Sequence, residues 1–414
     1  MRCRHCGTEL SVKFIDLGSA PPSNAYLKPE DLYGPEIYLP LKVLICTECW
    51  LVQTEDFTAA EDLFSKDYAY FSSYSETWLE HAKKYVSMIT SRFNLDNKSL
   101  IIEVGANDGY LLQYVRQKEI PCIGIEPTHS TAKAAREKDL EVIEGFFGLE
   151  MARKLAEQGI NADLMIANNV LAHVPDINDF VSAFAYLLKE NGVATFEFPH
   201  LLQLVSKNQF DTIYHEHFSY LSLTSVKRIF EKNRLTIFDV EELPTHGGSL
   251  RVFACKTTSH QFKVSQNVLD LISCEAEVGI TTIQYYSGFQ EKANRVKNDL
   301  LAFLIEAHKQ KKMVMGYGAA AKGNTLLNYA GIRWDLISCV ADLNPAKQGN
   351  FLPGSRIPIV NVERIHELRP DYILILPWNL KEEIMRELSY IREWDGKFVL
   401  AVPELRIEKG NGVV

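Results

Sequence analysis

The sequence lacks long apolar runs, low-complexity tracts and solenoid-type internal repeats. No apolar stretch reaches the roughly 20 residues that a helix needs to cross a bilayer. The first residues do not follow a secretory signal pattern, because charged residues and a cysteine pair come almost directly after Met1. A positive balance is absent as well, since 53 acidic residues outnumber 44 basic ones and give a formal charge of −9. These absences predict a cytoplasmic protein with no membrane partner and no nucleic-acid partner, because binding to a phosphate backbone needs a basic surface.

The length and composition predict an ordinary globular protein of more than one domain. The chain has 414 residues, of which 46% are hydrophobic and 23% are charged. A chain of this length exceeds what one hydrophobic core usually organises, so two or three domains are expected.

Cysteine is scarce, but half of the eight cysteines form two pairs in which two residues separate the members. The pairs are Cys3 with Cys6 and Cys46 with Cys49. In a reducing compartment two such pairs point to one tetrahedral zinc site, in preference to a redox pair or two unrelated pairs. Nothing suggests an open coordination position, so we expect the zinc to be structural.

A buried strand followed by a glycine-rich turn begins the second domain. Residues 100–104 are apolar except for one acid, and the turn that follows should open a helix. The acid and the special turn positions are Glu103, Gly105, Asn107 and Gly109. The next predicted strand, residues 122–126, ends in Glu126, where an acid can accept both ribose hydroxyls of an adenosine group.

Two cofactors compete for this turn. A dinucleotide is bound by G-x-G-x-x-G, but Asn107 replaces the middle glycine of that fingerprint. A strand-terminal acid followed by G-x-N-x-G instead resembles the S-adenosylmethionine motif of methyltransferases. Residues 163–169 predict the fourth strand of such a sheet and place Asn168 at its carboxyl end, where open α/β sheets bind ligands. The order of these signals favours S-adenosylmethionine.

Chemically active side chains are densest in residues 214–220, which contain two imidazoles, a carboxylate and two phenols. His215 and His217 lie two positions apart, so they share neither a helix face nor a strand face, and a metal site is not expected. Histidine titrates near neutral pH, and tyrosine can donate a hydrogen bond to a developing oxyanion. The stretch predicts an acid–base centre, with a hydrogen-bonded structural cluster as the alternative.

A second strand and glycine turn occur near the C-terminus, in residues 312–324. The sequence G-x-G-x-x-A from Gly316, followed by an acid at Asp342, would by itself suggest NAD. The same backbone geometry accepts any pyrophosphate, and Lys322 adds positive charge near the helix start. A purely structural turn is the remaining alternative.

Taken together, these motifs resemble the C-methyltransferases that act on nucleotide-linked 4-keto-6-deoxyhexoses. The resemblance covers essentially the whole chain and rests on the cysteine pairs and on residues 71–75, 103–109, 214–220, 246–249 and 316–324. It implies an α/β protein of three parts. These are a small zinc-binding module at 1–65, a class I methyltransferase Rossmann-like domain at 66–260, and a helical connection with a second, smaller Rossmann-like domain at 261–414.

The resemblance also implies roles for individual residues. His217 would be the base, with Tyr214, Glu216 and His173 close to the sugar. Cofactor contacts are expected from Glu103, Gly105, Asn107, Gly109, Glu126 and Asn168. Substrate contacts are expected from Tyr70, Tyr74, Ser75, His246, Tyr317, Lys322 and Asn324. Members of the family methylate different carbons, and C3 is favoured here over C5.

Three other functions compete with this interpretation. An RNA methyltransferase can also carry a zinc module, but the acidic balance argues against it. An NAD-dependent oxidoreductase would rest on the C-terminal glycine turn alone. A binding protein without catalysis is the third alternative. The sequence leaves the oligomeric state open, and a monomer of this size could act alone.

Overall fold

The computed structural model of the protein describes residues 1–55, 57 and 71–408. Their strands are β1 (Val12–Ala20), β2 (Leu39–Ile45), β3 (Val52–Thr54), β4 (Ile101–Val104), β5 (Cys122–Glu126), β6 (Val142–Glu144), β7 (Ala162–Asn168), β8 (Leu188–Pro199), β9 (Ser219–Tyr220), β10 (Leu235–Leu243), β11 (Ser249–Lys256), β12 (Val314–Tyr317), β13 (Val340–Ala341), β14 (Ile359–Val360), β15 (Tyr372–Ile375), β16 (Lys397–Leu400) and β17 (Arg406–Glu408). Their α-helices are α1 (Glu76–Arg92), α2 (Leu112–Arg116), α3 (His129–Arg136), α4 (Leu149–Glu157), α5 (Ile177–Leu187), α6 (Leu201–Ser206), α7 (Leu223–Lys232), α8 (Gln266–Glu277), α9 (Ile283–Tyr286), α10 (Phe289–Lys309), α11 (Ala321–Ala330), α12 (Glu363–Leu368) and α13 (Lys381–Glu387).

The N-terminal sheet is antiparallel, and its last strand comes from the middle of the chain. Its order is β1-β2-β3-β9. Val52 pairs with Tyr220 and Gln53 with Ser219, so the segment directly after the predicted acid–base centre completes the sheet of the cysteine-rich module. The Thr54 hydroxyl adds a hydrogen bond of 3.1 Å to the carbonyl of His217. The two regions are therefore one structural unit, although more than 160 residues separate them in sequence.

The middle sheet has seven strands in the order β10-β11-β8-β7-β4-β5-β6. Strands β4 to β8 are parallel, and β11 runs antiparallel to both of its neighbours. Buried on both faces, the parallel strands are almost continuously apolar, as in Leu164 to Ala167. Parallel strands present their carboxyl ends at one edge of the sheet, so the glycine turn after β4, Glu126 and Asn168 meet there.

The C-terminal sheet is also mainly parallel, but it is smaller, with six strands. Its order is β14-β13-β12-β15-β16-β17, and β17 is its antiparallel strand. The second glycine turn lies between β12 and α11, so α11 begins at the carboxyl edge of this sheet. That edge faces the segment 210–217, because the Thr325 hydroxyl donates a hydrogen bond of 2.9 Å to the carbonyl of Ile213.

One apolar cluster joins the three parts of the protein. Phe14 of β1 stacks on Phe289 of α10 with ring centroids 4.5 Å apart. Phe210, which precedes the acid–base segment, is fully buried in the same cluster as Leu327 of α11. At about 25 cal/mol for each Å² of apolar surface removed from water, such shared packing contributes several kcal/mol to holding the parts together.

The sequence predicted most of these elements closely. The strand predicted at 122–126 is confirmed residue for residue, and the helical connection predicted after residue 260 contains α8, α9 and α10. The mainly apolar residues 337–340 also predict a strand, but the observed strand is shorter and later, because only Val340 and Ala341 pair with neighbouring strands. The predicted boundary between 65 and 66 lies outside the described residues, so the domain limits remain predictions. Among the helices of the described residues, none combines the length and apolarity that a membrane crossing requires.

Hydrogen bonds and an ion pair also join the N-terminal module to the C-terminal domain. Leu27 and Phe351 exchange two backbone hydrogen bonds of 3.0 and 2.8 Å. The Arg356 guanidinium donates to Glu36 Oε2 at 2.8 Å and to the carbonyl of Leu32 at 2.8 Å. Glu36 is buried, so this ion pair is better shielded than a surface pair.

We expect Arg356→Ala to lower the free energy of unfolding by about 2 kcal/mol, because it removes several hydrogen bonds of a charged group at once. The matched control is Arg364→Ala, which removes an exposed ion pair with Glu367 and should cost at most about 0.5 kcal/mol. Thermal unfolding of both variants measures the difference. Equal shifts of the unfolding temperature in the two variants would show that the contacts of Arg356 stabilise the protein no more than a surface ion pair does.

Candidate active site

Residues 214–217 lie in a turn where the three parts of the protein meet. The turn follows a short 3-10 helix, Phe210–Thr212, and leads into β9. It is closed by a hydrogen bond of 2.9 Å from the amide of His217 to the carbonyl of Tyr214. The next amide, of Phe218, bonds the carbonyl of Ala172 in the middle domain at 2.8 Å. Its backbone is therefore fixed on both sides.

His217 and His173 form a pair with ring centroids 4.6 Å apart. His217 Nδ1 lies 2.7 Å from the carbonyl of Thr212, and His173 Nδ1 lies 2.7 Å from the carbonyl of Glu216. A carbonyl oxygen only accepts, so each Nδ1 must carry a hydrogen, and each neutral ring then has its basic lone pair on Nε2.

Burial keeps both imidazoles neutral. It lowers the pKa of His173 to about 4. Burial, reinforced by the nearby His173, also holds the pKa of His217 well below the usual range of histidine. A neutral imidazole at working pH is the state that can accept a proton.

Tyr214 packs against the base candidate, with its ring centroid 4.0 Å from that of His217 and the planes tilted by 31°. Tyr220 approaches the same imidazole edge-on at 6.1 Å, and burial holds the pKa of its phenol well above the usual range of tyrosine. A phenol that stays protonated can donate a hydrogen bond to an oxyanion.

Glu216 points into the N-terminal module and is almost completely buried. Its Oε1 accepts a hydrogen bond of 3.0 Å from Asn24 Nδ2, while Oε2 has no hydrogen-bond partner among the described residues. Burial raises the pKa of this carboxyl, and the hydrogen bonds from Asn24 oppose that shift. A buried carboxylate oxygen without a hydrogen-bond partner among the described residues indicates a place for a polar ligand group.

His215 has a structural task that the sequence did not suggest. Its Nε2 lies 3.2 Å from the carbonyl of Leu39 in β2, so the ring anchors the turn to the N-terminal sheet.

The glycine turn after β4 has the backbone of a ligand cradle. Gly105 and Gly109 adopt φ values of +73° and +76°, and a Cβ on either would lie within 2.5 Å of a neighbouring side chain. Glu126 fixes the turn, because its carboxylate accepts from the amide of Asn107 at 2.9 Å. The side-chain oxygen of Asn168 is buried and has no hydrogen-bond partner among the described residues. This set of an acid, a tight turn and an unpartnered carbonyl oxygen fits the adenosyl and amino-acid groups of S-adenosylmethionine.

Glu103 lies beneath this cradle. It is completely buried, and burial raises the pKa of its carboxyl well above the usual range, while the Tyr110 hydroxyl opposes the shift. Its position at the end of β4 agrees with the predicted cofactor set, and its contact with the cofactor remains a prediction.

Two of the predicted substrate residues lie at the boundary between the middle and C-terminal domains. His246 sits in a turn with a left-handed φ of 53°, and its Nε2 lies 3.3 Å from Asn169 Nδ2. Lys322 donates to Asn379 at 2.8 Å, and its ammonium lies 4.7 Å from the ring centroid of Trp378. Burial lowers the pKa of Lys322 to about 8 and that of His246 to about 4. The positive charge of Lys322 also lowers the pKa values of His217 and His246.

The other predicted substrate residues are placed less uniformly. Asn324 is buried in α11, and both atoms of its amide have no hydrogen-bond partner among the described residues. Tyr317 is buried in the core of the C-terminal sheet, with its hydroxyl 3.5 Å from Glu387. Ser75 caps α1 by accepting from the amide of Trp78, and Tyr74 is half exposed. Tyr70 lies outside the described residues. The functional roles of these residues remain predictions.

The sequence did not indicate that Asp211, Trp378 and Asn24 contribute side chains to the site. Asp211 accepts a hydrogen bond of 2.7 Å from the indole of Trp378, and burial raises the pKa of the Asp211 carboxyl to about 6. More than 160 residues separate the two, so no local pattern could have paired them. The missed residue Asn24 could have been noticed, because it directly follows the turn-forming residues Pro21, Pro22 and Ser23.

The four paired cysteines come together as a metal site. Their sulfur atoms all lie within 4.8 Å of one another, with 3.5 Å between Cys3 and Cys49 and 3.5 Å between Cys6 and Cys46. Zinc bound tetrahedrally by thiolates at about 2.3 Å requires sulfur separations of about 3.8 Å. Within the described part of the chain, this cluster fits zinc without rearrangement.

Comparisons with known proteins agree with this architecture. Residues 3–64 match the family model of a zinc binding domain, residues 78–240 that of a methyltransferase domain, and residues 244–403 that of a C-methyltransferase C-terminal domain. The chain is 34% identical over 405 residues to the C-methyltransferase NovU of Streptomyces niveus, and the alignment covers 98% of this chain and 96% of that relative.

More distant relatives match only part of the chain. The ubiquinone biosynthesis O-methyltransferase of Bartonella quintana is 24% identical over 173 residues, which cover 36% of this chain and 67% of that protein. The structure of magnesium protoporphyrin IX methyltransferase from Synechocystis with bound SAH aligns at 16% identity and a TM-score of 0.34, covering 43% of this chain and 83% of that one. The matches to domain models and to NovU confirm the predicted fold class, the methyltransferase activity, the cofactor S-adenosylmethionine and the zinc.

We expect Cys46→Ser to release the zinc and to lower amide-exchange protection in both β3 and β9, because structural zinc contributes folding free energy and these two strands pair directly. Elemental analysis and hydrogen–deuterium exchange measure the two effects. The matched control is Cys274→Ser, an exposed cysteine outside the cluster, which should change neither. Retention of zinc with unchanged protection of β9 would contradict the coupling.

Proposed function

This chain belongs to the C-methyltransferase family, and we propose that it methylates C3 of a nucleotide-linked 4-keto-6-deoxyhexose. The observation that carries the proposal is the pair of neutral imidazoles, buried His217 and partly buried His173, with Tyr214 packed against His217. An O- or N-methyltransferase acts on an atom that already has a lone pair. A carbon must first lose a proton, and a neutral, oriented base next to a phenol supplies that step.

Bound S-adenosylmethionine supplies an electrophilic methyl group on a sulfonium, and the chain's own residues make the carbon nucleophile. His217 Nε2 removes a proton from the carbon next to the ketone. As positive charge develops on the ring, the Nδ1–H bond to the carbonyl of Thr212 strengthens and holds the ring in place.

Tyr214 donates a hydrogen bond to the oxygen of the enolate that forms. A preorganised donor of this kind is commonly worth about 3 kcal/mol in the transition state. His173 donates its Nδ1–H to the carbonyl of Glu216, and this bond holds its ring beside that of His217, close to the sugar. Glu216 accepts a second hydroxyl through Oε2 and so orients the ring.

The C-terminal domain binds the nucleotide diphosphate in this proposal. Gly318 has a φ of +85°, and a Cβ there would lie 2.5 Å from Pro377, so the tight turn after β12 requires glycine. The amide of Ala319 donates to Asp342 at 2.7 Å and fixes the turn at the start of α11. Lys322, one residue into that helix, brings a cation to the boundary with the middle domain. A helix start, a glycine turn and a cation together favour phosphate groups.

The charge of the chain also favours a small substrate over RNA. A formal charge of −9 gives no general attraction to a phosphate backbone, whereas a single buried lysine suffices for a diphosphate. The location in the cytoplasm, which the sequence predicts, is part of this proposal, and the oligomeric state is left open.

We expect the wild-type protein to exchange the C3 proton of a nucleotide-linked 4-keto-6-deoxyhexose for deuterium when S-adenosylhomocysteine replaces the methyl donor. His217→Asn should lower the exchange rate at least 10²-fold, since it removes the base. Exposed His260→Asn is the matched control and should exchange normally. NMR locates both the deuterium and, with the methyl donor, the new methyl group. Full exchange by His217→Asn, or a methyl group at another carbon, would contradict the assignment.

Tyr214→Phe tests the oxyanion donor separately. We expect kcat to fall about 10²-fold, as for the loss of one oxyanion-hole donor, with an unchanged Kd for S-adenosylmethionine measured by calorimetry. A change in cofactor affinity with normal kcat would assign Tyr214 to cofactor binding instead.

At saturating sugar nucleotide, where the titration of Lys322 no longer limits binding, the exchange rate should be insensitive to pH between 8 and 6.5. The pKa of His217 lies well below its usual value because the ring is buried, so the base is already neutral throughout this range and gains a proton only at lower pH. Exchange measured across this range checks the prediction. A rate that falls as pH decreases, with a midpoint near 6.5, would indicate a solvent-exposed histidine as the base.

A further inference from the structure

A short segment of the zinc module, residues 24–26, contacts the site. Asn24 Nδ2 donates to Glu216 Oε1 at 3.0 Å. Two residues later, the Tyr26 hydroxyl donates to the carbonyl of Ala319 at 2.7 Å. The segment therefore touches the acid–base turn with one side chain and the C-terminal glycine turn with another.

The environment of Glu216 makes the Asn24 contact consequential. The carboxyl is almost completely buried, and its other oxygen has no hydrogen-bond partner among the described residues. Asn24 thus supplies the side-chain hydrogen bond that fixes which way the carboxylate faces. An amide is suited to this task, because it holds the carboxylate without the charge neutralisation that a lysine or arginine would bring.

The contact is not needed to attach the module. Strands β3 and β9 pair directly, Leu27 pairs with Phe351, and Arg356 binds Glu36. These interactions hold the module against both other domains. The Asn24 side chain adds no comparable anchoring, since its remaining side-chain contact is a hydrogen bond of 3.4 Å from its neighbour Tyr26.

We propose that Asn24 is a positioning residue, which holds Glu216 so that its second oxygen faces the sugar. The zinc module then contributes to turnover through a specific hydrogen bond. This inference rests on the proposed function, because it assumes that Glu216 contacts the substrate.

The test is a double-mutant cycle on the full-length, zinc-loaded protein, with Asn24→Ala, Glu216→Gln and the double variant. Asn24→Ala should lower kcat about tenfold, the lower limit for losing a hydrogen bond to a charged group. The Kd for S-adenosylmethionine, the zinc content and the melting temperature should stay at their wild-type values. If Asn24 acts through Glu216, the double variant has the kcat of Glu216→Gln alone.

Two comparison variants separate positioning from general disturbance of the fold. Asn97→Ala removes an exposed asparagine of the middle domain and should leave all parameters unchanged. Tyr26→Phe breaks the neighbouring bond to Ala319, and it should raise KM for the sugar nucleotide more than it lowers kcat.

Three results would overturn the proposal. Kinetic effects of the two substitutions that multiply in the double variant would show that Asn24 acts independently of Glu216. A full rate for Asn24→Ala would show that turnover does not depend on the hydrogen bond from Asn24 to Glu216. Absence of exchange and methylation by the wild-type protein would remove the proposed function and this inference together, whereas either of the first two results in an active wild-type protein removes this inference alone.

Discussion

The pairing of β3 with β9 is the interaction on which the site depends. Only two residue pairs form it, Val52 with Tyr220 and Gln53 with Ser219. Those pairs tie the end of the acid–base turn to β3, which directly follows the cysteine cluster because Cys46 and Cys49 lie between β2 and β3. Two residues of strand have little stability alone, so β9 is ordered because the zinc module presents an existing edge. The metal therefore contributes to the geometry of residues 214–217 although it lies outside the reaction.

The same constraint explains why the site is built from all three parts of the protein. His217 and Tyr214 come from the middle domain, the hydrogen bond to Glu216 comes from the zinc module, and Lys322 comes from the C-terminal domain. Each ring of the histidine pair is fixed by a backbone carbonyl, which has no rotatable side chain. Orientation by the backbone is suited to proton removal from carbon, because small misplacements of a base lower the rate strongly.

The fold could be predicted from the sequence far better than the site. Strand and glycine-turn patterns such as residues 100–109 are local, and their physical cause, burial on both faces followed by a turn, is visible in the residues themselves. The zinc cluster was also predictable, since two cysteine pairs of the right spacing have few other uses in a reducing environment. By contrast, the contacts of Asn24 with Glu216 and of Asp211 with Trp378 join residues 192 and 167 positions apart. Such pairs depend on how three sheets pack, and no sequence period encodes them. His215 was conspicuous in the sequence because it lies two residues from His217. At that spacing the two rings are not expected to share a face, and in the fold His215 bonds the carbonyl of Leu39 in β2.

The burial of so many titratable groups agrees with the chemistry that we propose for the site. His173, His217 and His246 all have lowered pKa values because they are buried, while burial raises the pKa values of Asp211 and Glu216. Taking these groups out of water costs stability, and the shared apolar cluster around Phe14, Phe289 and Phe210 offsets that cost. In return, a carbon deprotonated in this enclosure meets few water molecules that could return a proton to it before the methyl group arrives. The proposed chemistry thus gives a reason for the three-part architecture, because contacts from all three parts surround the acid–base turn.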